Sequence, residues 1–136
     1  MISQHAFLKM SDVPSREEWQ KTIDGLGYNL QLWPTLEPFK SSGFVPCKLN
    51  GIDGGFEISY EEISSYNKLF PHLKEKLKDY DYCITFTWGS SLIEGACVLI
   101  ASLALLKACN AFIYYPNDNL ISTEDSLISD IKSCLK

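Results

Sequence analysis

Residues 81 to 116 read DYCITFTWGSSLIEGACVLIASLALLKACNAFIYYP. The opening "DYCITFTW" is rich in β-branched and aromatic side chains, which is typical of a buried strand. "SLIEGACVLIASLALLKACN" is apolar on nearly every face and predicts a helix buried on most sides, and "AFIYYP" predicts a further strand. A strand, a buried helix and a strand make a βαβ unit, so these two strands should run parallel in one sheet without having to be neighbours.

The rest of the chain adds strands and amphipathic helices to this unit. The other predicted elements are a strand over 4–10, a helix over 16–24, a strand over 28–34, a hairpin of strands 44–49 and 55–60, a helix over 67–80 and a helix over 123–136. Ser15 and Glu18 predict a capping box at the first helix. No repeat or linker divides the chain, so residues 1–136 are predicted to form a single domain. We expect an α+β (mixed α/β) fold, with helices packed on a single central mixed sheet of about five strands.

Composition narrows the function classes. The chain has 136 residues, 46% of them hydrophobic and 21% charged, which is ordinary for a folded domain. Its formal net charge of −5 disfavours direct binding of nucleic acid and favours a basic protein partner, although a mildly acidic surface is also common among soluble bacterial proteins.

Cysteine usage and apolar runs indicate the compartment. The five cysteines are odd in number, widely spaced and without a CxxC motif, which predicts neither a disulfide framework nor a zinc site; they are Cys47, Cys83, Cys97, Cys109 and Cys134. Three of them, Cys83, Cys97 and Cys109, lie in apolar segments and are interpreted as buried small hydrophobic residues. The N-terminus has no signal-peptide pattern, and the apolar run over 95–106 is shorter than the roughly 20 residues that span a bilayer. We therefore expect a cytoplasmic protein with no membrane partner.

The turn in "WGSSLIEG" resembles two kinds of catalytic loop but lacks a residue that each requires. A P-loop needs a Gly-Lys pair before Ser or Thr, and a nucleophile elbow needs G-x-S-x-G. Ser91 and Glu94 instead predict an N-cap and a reciprocal capping box at the start of the buried helix. A ligand or anion site at residues 89–94 is the alternative.

No other motif predicts catalysis. His5 and His72 lie in separate segments, and neither is paired in sequence with a cysteine or serine, although the fold could bring such groups together. No spacing predicts a metal or cofactor site. The sequence therefore predicts a protein that is not an enzyme and that uses no metal and no cofactor.

The densest acidic patch comprises Glu57, Glu61 and Glu62, together with Asp53 just upstream in the predicted hairpin turn. At a period of two, Glu57 and Glu61 share one face if the strand extends that far. The patch is either a solvated strand end or a partner-binding edge. Tyr115 is added to this candidate surface because exposed tyrosine beside acidic residues is common at interfaces.

Several short motifs between residues 40 and 120 resemble one group of proteins. They are "GFVP" at 43–46, "GGFEI" at 54–58, the "DYCITFTWGSS" strand and turn followed by a glutamate, and "AFIYYP". With this set the chain resembles small bacterial immunity proteins of polymorphic-toxin and contact-dependent growth-inhibition systems. The resemblance implies a cytosolic, non-catalytic protein that binds one cognate toxin domain, such as a nuclease, and blocks its active site.

Two other classes of function stay open at this point. One is a small enzyme or ligand-binding domain with its site at residues 89–94, where strand ends in α/β sheets often gather ligands. The other is a structural subunit that forms a homodimer.

Overall fold

A computed structural model describes all residues from 1 to 136 and contains seven strands in one sheet. The strands are β1 Ile2–Leu8, β2 Leu30–Gln31, β3 Gly43–Leu49, β4 Ile52–Glu62, β5 Tyr82–Trp88, β6 Phe112–Tyr115 and β7 Leu120–Ser122. The helices are α1 Arg16–Gly25, α2 Ser64–Asn67, α3 Lys74–Leu77, α4 Leu92–Cys109 and α5 Glu124–Cys134. The strand order is β2-β3-β4-β5-β1-β6-β7, and every neighbouring pair is antiparallel.

The predicted βαβ unit is confirmed. Strands β5 and β6 both pair antiparallel with β1, which lies between them, so β5 and β6 run parallel to each other and α4 connects them. The expectation of a mixed sheet, with both parallel and antiparallel neighbours, is wrong. The first strand of the chain, β1, lies between the two parallel strands β5 and β6, so no parallel strands are direct neighbours. The seventh strand, β7, follows a turn at Asn119 that has a positive φ of 48°.

Helix α4 lies at the centre of the main core, between α1, α5 and one face of the sheet. The residues of α4 that are buried are Gly95, Ala96, Cys97, Val98, Ile100, Ala101, Ser102, Leu103, Ala104 and Leu105. By length and composition alone α4 could cross a membrane, but 56% of it is buried inside the protein, which is the packing of a core helix. We call the sheet surface that faces α4 the inner face and the opposite surface the outer face.

Short elements cover only part of the outer face. A second apolar cluster lies there and comprises Phe7, Tyr66, Phe70, Leu73, Leu77, Cys83 and Tyr114. The continuous helix predicted over 67–80 is wrong: α2 ends at Asn67, and Pro71 begins a separate 3₁₀ turn. The residue before a proline is disfavoured in the helical region, and Phe70 has φ −126° and ψ 67°. Because of this break, Leu69 is exposed while Phe70 is buried.

The capping box and the hairpin predicted from sequence are confirmed. Ser15 Oγ accepts a hydrogen bond from the Glu18 N–H, and the Glu18 carboxylate accepts one from the Ser15 N–H. Strands β3 and β4 meet at a two-residue turn of Asn50 and Gly51, both with positive φ. Strand β4 runs from Ile52 to Glu62, so the predicted bounds of 55 and 60 are wrong at both ends: the turn takes only two residues, and residues 52–54 already pair with β3.

Strand β2 is shorter than the predicted strand over 28–34 because side chains of α1 bind the backbone that would have extended it. Gln20 Oε1 accepts a hydrogen bond from the Leu32 N–H at 2.8 Å. Arg16 donates to the Leu32 carbonyl at 2.8 Å and to the Trp33 carbonyl at 3.3 Å. The chain therefore leaves the sheet after Gln31, and residues 43–47 of β3 have no strand partner on that edge.

Gly55 in β4 allows the close approach of an aromatic ring. Its φ is +149°, and a Cβ at this position would lie 2.5 Å from Phe44 Cζ and 2.6 Å from the Val45 carbonyl oxygen. Both the backbone conformation and the available space therefore require glycine here.

We expect Gly55→Ala to lower the free energy of unfolding by about 3 kcal/mol. The new methyl group would collide with the Phe44 ring and the Val45 carbonyl oxygen, and alanine rarely adopts the φ of +149° found here. Gly25→Ala is the matched control, since nothing lies within 4 Å of the position that a Cβ would occupy there and the residue ends a helix. That change should leave stability equal or raise it by up to about 1 kcal/mol. Urea denaturation measures the free energy of unfolding of both variants. Similar effects of the two changes would contradict the conclusion that position 55 requires glycine.

Candidate functional site

Three predicted carboxylates share the outer face of β4. Asp53, Glu57 and Glu61 alternate with residues that face α4 or the main core, and the strand is long enough to include all three. Glu57 and Glu61 are exposed and belong to none of the ion pairs of the protein. Asp53 lies 3.9 Å from Lys48 Nζ, with both side chains in solvent. We call these three residues the acidic surface.

The structure separates the other two predicted residues from this surface. Glu62 is exposed at the end of β4, where it pairs with Tyr82, and the alternation of the strand places it on the face opposite Glu61. Tyr115 lies in β6, which is separated from β4 by β5 and β1. Its side chain packs against the main core on the inner face. Tyr115 and the acidic surface therefore do not form one site.

Two exposed aromatic residues that sequence analysis missed lie near the acidic surface. Phe44 pairs directly with Glu57 across β3 and β4, and its side chain is 56% exposed. Trp33, beyond the end of β2, is 44% exposed. The alternation in "GFVPCKL", which places Phe44 on the side of Lys48 and away from Val45, was a signal for the first of these.

A cavity of about 720 Å³ lies along the unpaired edge of β3. Its walls include Trp33 after β2, Phe44 and Cys47 of β3, Asp53 of β4 and Glu94 of α4. We call it the edge cavity. It exists because β2 ends early, so no backbone fills the space beside residues 43–47.

The strand-to-helix turn at residues 89–94 is a capped helix start with one free carboxylate. Ser91 Oγ accepts a hydrogen bond from the Glu94 N–H at 3.3 Å, which is the predicted N-cap. The reciprocal bond from the Ser91 N–H to the Glu94 carboxylate is not formed, so that half of the predicted capping box is wrong. Glu94 instead lines the edge cavity.

The fold brings one cysteine and one histidine together on the outer face. Cys83 Sγ lies 3.9 Å from His5 Nδ1, and that nitrogen is 2.8 Å from Thr85 Oγ1, which also bonds the Tyr66 hydroxyl. Burial lowers the pKa of His5 to about 4 and raises the pKa of Cys83 to about 12. A catalytic thiolate and imidazolium need the opposite shifts, so burial disfavours the ionised form of this pair near neutral pH.

Neither histidine belongs to a metal site. His72 Nε2 is 3.0 Å from both the Tyr114 hydroxyl and Asn119 Oδ1, which is a structural link between the outer cover and the turn before β7. No group of three or more His, Cys, Asp or Glu side chains is arranged to hold a metal ion.

Comparisons of the chain with protein-family models, curated proteins and solved structures found no match.

The lowered pKa of His5 predicts a specific dependence of stability on pH. In the unfolded chain His5 takes up a proton near its ordinary pKa of 6.5, whereas in the folded chain it does so only near pH 4. The contribution of His5 to the free energy of unfolding is therefore complete above pH 6.5 and is lost as the pH falls toward 4. The loss from this group between about pH 7.5 and about pH 5 should be about 2 kcal/mol.

His5→Asn removes this titration and keeps a polar atom near the position of Nδ1. Urea denaturation at both pH values should therefore show a smaller loss of stability in the variant than in the unmodified protein. An equal loss in the two proteins would rule out His5 as the group responsible.

Proposed function

We propose that this protein is an immunity-type binding protein, without enzymatic activity, that neutralises a cognate toxin by covering the toxin's active site. The observation that carries the proposal is the pair of unpaired carboxylates, Glu57 and Glu61, on an exposed sheet surface beside the exposed ring of Phe44. The resemblance of residues 40–120 to small bacterial immunity proteins supplies the class of partner.

Electrostatics support a basic partner. The chain has a formal net charge of −5, and Glu57 and Glu61 lie about 13 Å apart along one face of β4. No lysine or arginine neutralises them within the protein. A toxin that binds phosphate, such as a nuclease, carries a basic cleft, which two separated carboxylates would attract and occupy.

Aromatic side chains supply the apolar part of such an interface. Phe44 stands on the paired strands of the β3–β4 hairpin next to Glu57, and Trp33 lines the edge cavity. Exposed aromatic residues on fixed backbone lose little conformational freedom on binding and are frequent energetic centres of interfaces. Acidic residues around an aromatic anchor match a partner whose cleft is basic and has an apolar floor.

A small-molecule site in the edge cavity is the second candidate. It is favoured by the Glu94 carboxylate, which lines the cavity and makes no capping bond, beside Trp33 and Phe44. Carboxylate and aromatic groups together suit an organic cation. Arg16 and Lys48 also line the cavity and oppose a cation, which makes this the weaker proposal.

The partner is tested by co-expression. A candidate toxin domain encoded next to this gene should copurify with the protein and lose its toxicity in cells that contain it. The absence of a toxin fragment upstream, together with no copurification from a strain that carries a candidate toxin, would refute the proposal.

Reversal of the acidic charges should slow association. We expect Glu57→Lys with Glu61→Lys to lower the association rate constant at least about tenfold at low salt and to flatten its dependence on salt. Adding Glu62→Lys should extend the effect only if the end of β4 also meets the partner. Glu17→Lys on α1 is the control, because that residue is exposed on another part of the surface. Association rate constants are measured by stopped-flow kinetics. If they are the same for the charge-reversal variant and the unmodified protein, the acidic surface does not take part in binding the toxin.

Loss of the aromatic anchor should speed dissociation. Phe44→Ala is expected to weaken affinity at least about tenfold, with most of the change in the dissociation rate. Leu69→Ala is the control, since Leu69 is 62% exposed on the outer-face cover. Calorimetric titration that finds equal effects of the two changes would contradict a role for Phe44, and a thermal melt establishes that both variants are folded.

A further inference from the structure

Two cysteines that are far apart in sequence meet in the interior beside the edge cavity. Cys47 lies in β3, pairs directly with Gly54 of β4 and faces α4. Cys97 lies in α4, and its Sγ is 3.2 Å from the position that a Gly54 Cβ would occupy. Because Gly54 has no side chain, the Cys97 sulfur reaches the sheet at the position that pairs with Cys47. We call these two residues the thiol pair.

The contacts of the thiol pair favour one thiolate. The neighbouring Cys47 thiol lowers the pKa of Cys97, and so does the Gly55 N–H, although burial and Glu94 oppose the shift. The Cys97 sulfur, together with burial, raises the pKa of Cys47. Each sulfur therefore affects the ionisation of the other, and the pair favours a single thiolate.

The pair is placed where a small oxidant can approach it. Cys47 and Gly54 both line the edge cavity, whereas Cys97 lies behind Gly54 beside Ile93 and is fully buried. A small oxidant would therefore reach the pair from the side of Cys47. The other three cysteines lack this setting. Burial raises the pKa of Cys83 to about 12 and that of Cys109 to about 11, and it also raises the pKa of Cys134.

We propose that Cys47 and Cys97 are a redox-active thiol pair that a hydroperoxide converts into an intramolecular disulfide between β3 and α4. The thiolate of the pair attacks the distal oxygen of the hydroperoxide; the O–O bond breaks, and the departing alkoxide or hydroxide takes up a proton. The sulfenic acid formed on that cysteine is then attacked by the other sulfur; the S–S bond forms, the S–O bond breaks, and hydroxide leaves as water with the proton of the second thiol. Two thiols and one hydroperoxide thus give one disulfide, one water and one alcohol or second water, and a dithiol reductant reverses the change.

The disulfide would fix the free edge of β3 to the core helix. Phe44 lies three residues before Cys47 on that edge, and Glu94 lies one turn before Cys97 on α4, so both walls of the edge cavity would be tied together. The inference does not rest on the proposed function, because it concerns only groups within the chain.

The test is mass spectrometry of the folded, full-length protein after treatment with hydrogen peroxide and capping of the remaining thiols. The intact mass before capping should fall by about 2 Da, because two thiol hydrogens are removed. Without reductant, trypsin should release the peptide 41–48 joined to the peptide 79–107. The second peptide also contains Cys83, so the same link in Cys83→Ser assigns it to Cys97.

Variants complete the test. Cys47→Ser and Cys97→Ala should each abolish the link, whereas Cys109→Ser should leave it unchanged, and the linked protein should melt at a higher temperature than the reduced protein. A thermal melt of the reduced variants verifies their folding, and the unmodified protein decides the outcome if either variant fails to fold. The proposal is overturned if the thiols survive peroxide, if oxygen is added without a link, or if the link joins other cysteines or two chains.

Discussion

Helix α4 has apolar side chains around its whole circumference, and it cannot rest on the sheet with one side in water. At about 25 cal/mol for each Å² of apolar surface, leaving any side uncovered would cost several kcal/mol. The inner face of the sheet, α1 and α5 enclose it. Two polar groups in this interior are paired: Trp19 Nε1 donates to the Ala101 carbonyl at 3.1 Å, and Gln4 Nε2 donates to Ser102 Oγ at 2.7 Å. The buried Tyr60 hydroxyl beside this core has no hydrogen-bond partner.

This requirement places all three long helices on one face and leaves the other face to short segments. The outer cover buries Phe7 and Cys83 but does not reach the hairpin of β3 and β4. The hairpin therefore presents one strand surface to solvent, and its acidic and aromatic residues are free to meet a partner. The burial of α4 and the exposure of the acidic surface are thus two results of one distribution of apolar residues.

Local patterns in the sequence were sufficient for the parts of the fold that local chemistry determines. The Ser15 capping box, the Asn50-Gly51 turn and the parallel relation of β5 and β6 follow from spacing, positive φ and the βαβ rule. The insertion of β1 between those strands depends on contacts between distant segments, which no local pattern encodes. The same applies to the separation of Tyr115 from Glu57 and to the meeting of Cys47 and Cys97, which depends on the missing side chain of Gly54.

The attachment of residues 32 and 33 to α1, rather than to β3, has a consequence for how this protein could diversify. Gln20 and Arg16 satisfy that backbone with side chains, so the segment from 32 to 42 is not bound to the register of the sheet. Leu32 and Leu36 in this segment are buried in the main core and are bound to its packing. Substitutions at the exposed positions between and after them would reshape one wall of the edge cavity while the strand ladder and the packing of α4 stay as they are. Selection could therefore change what the β3 edge recognises without having to rebuild the fold that presents it.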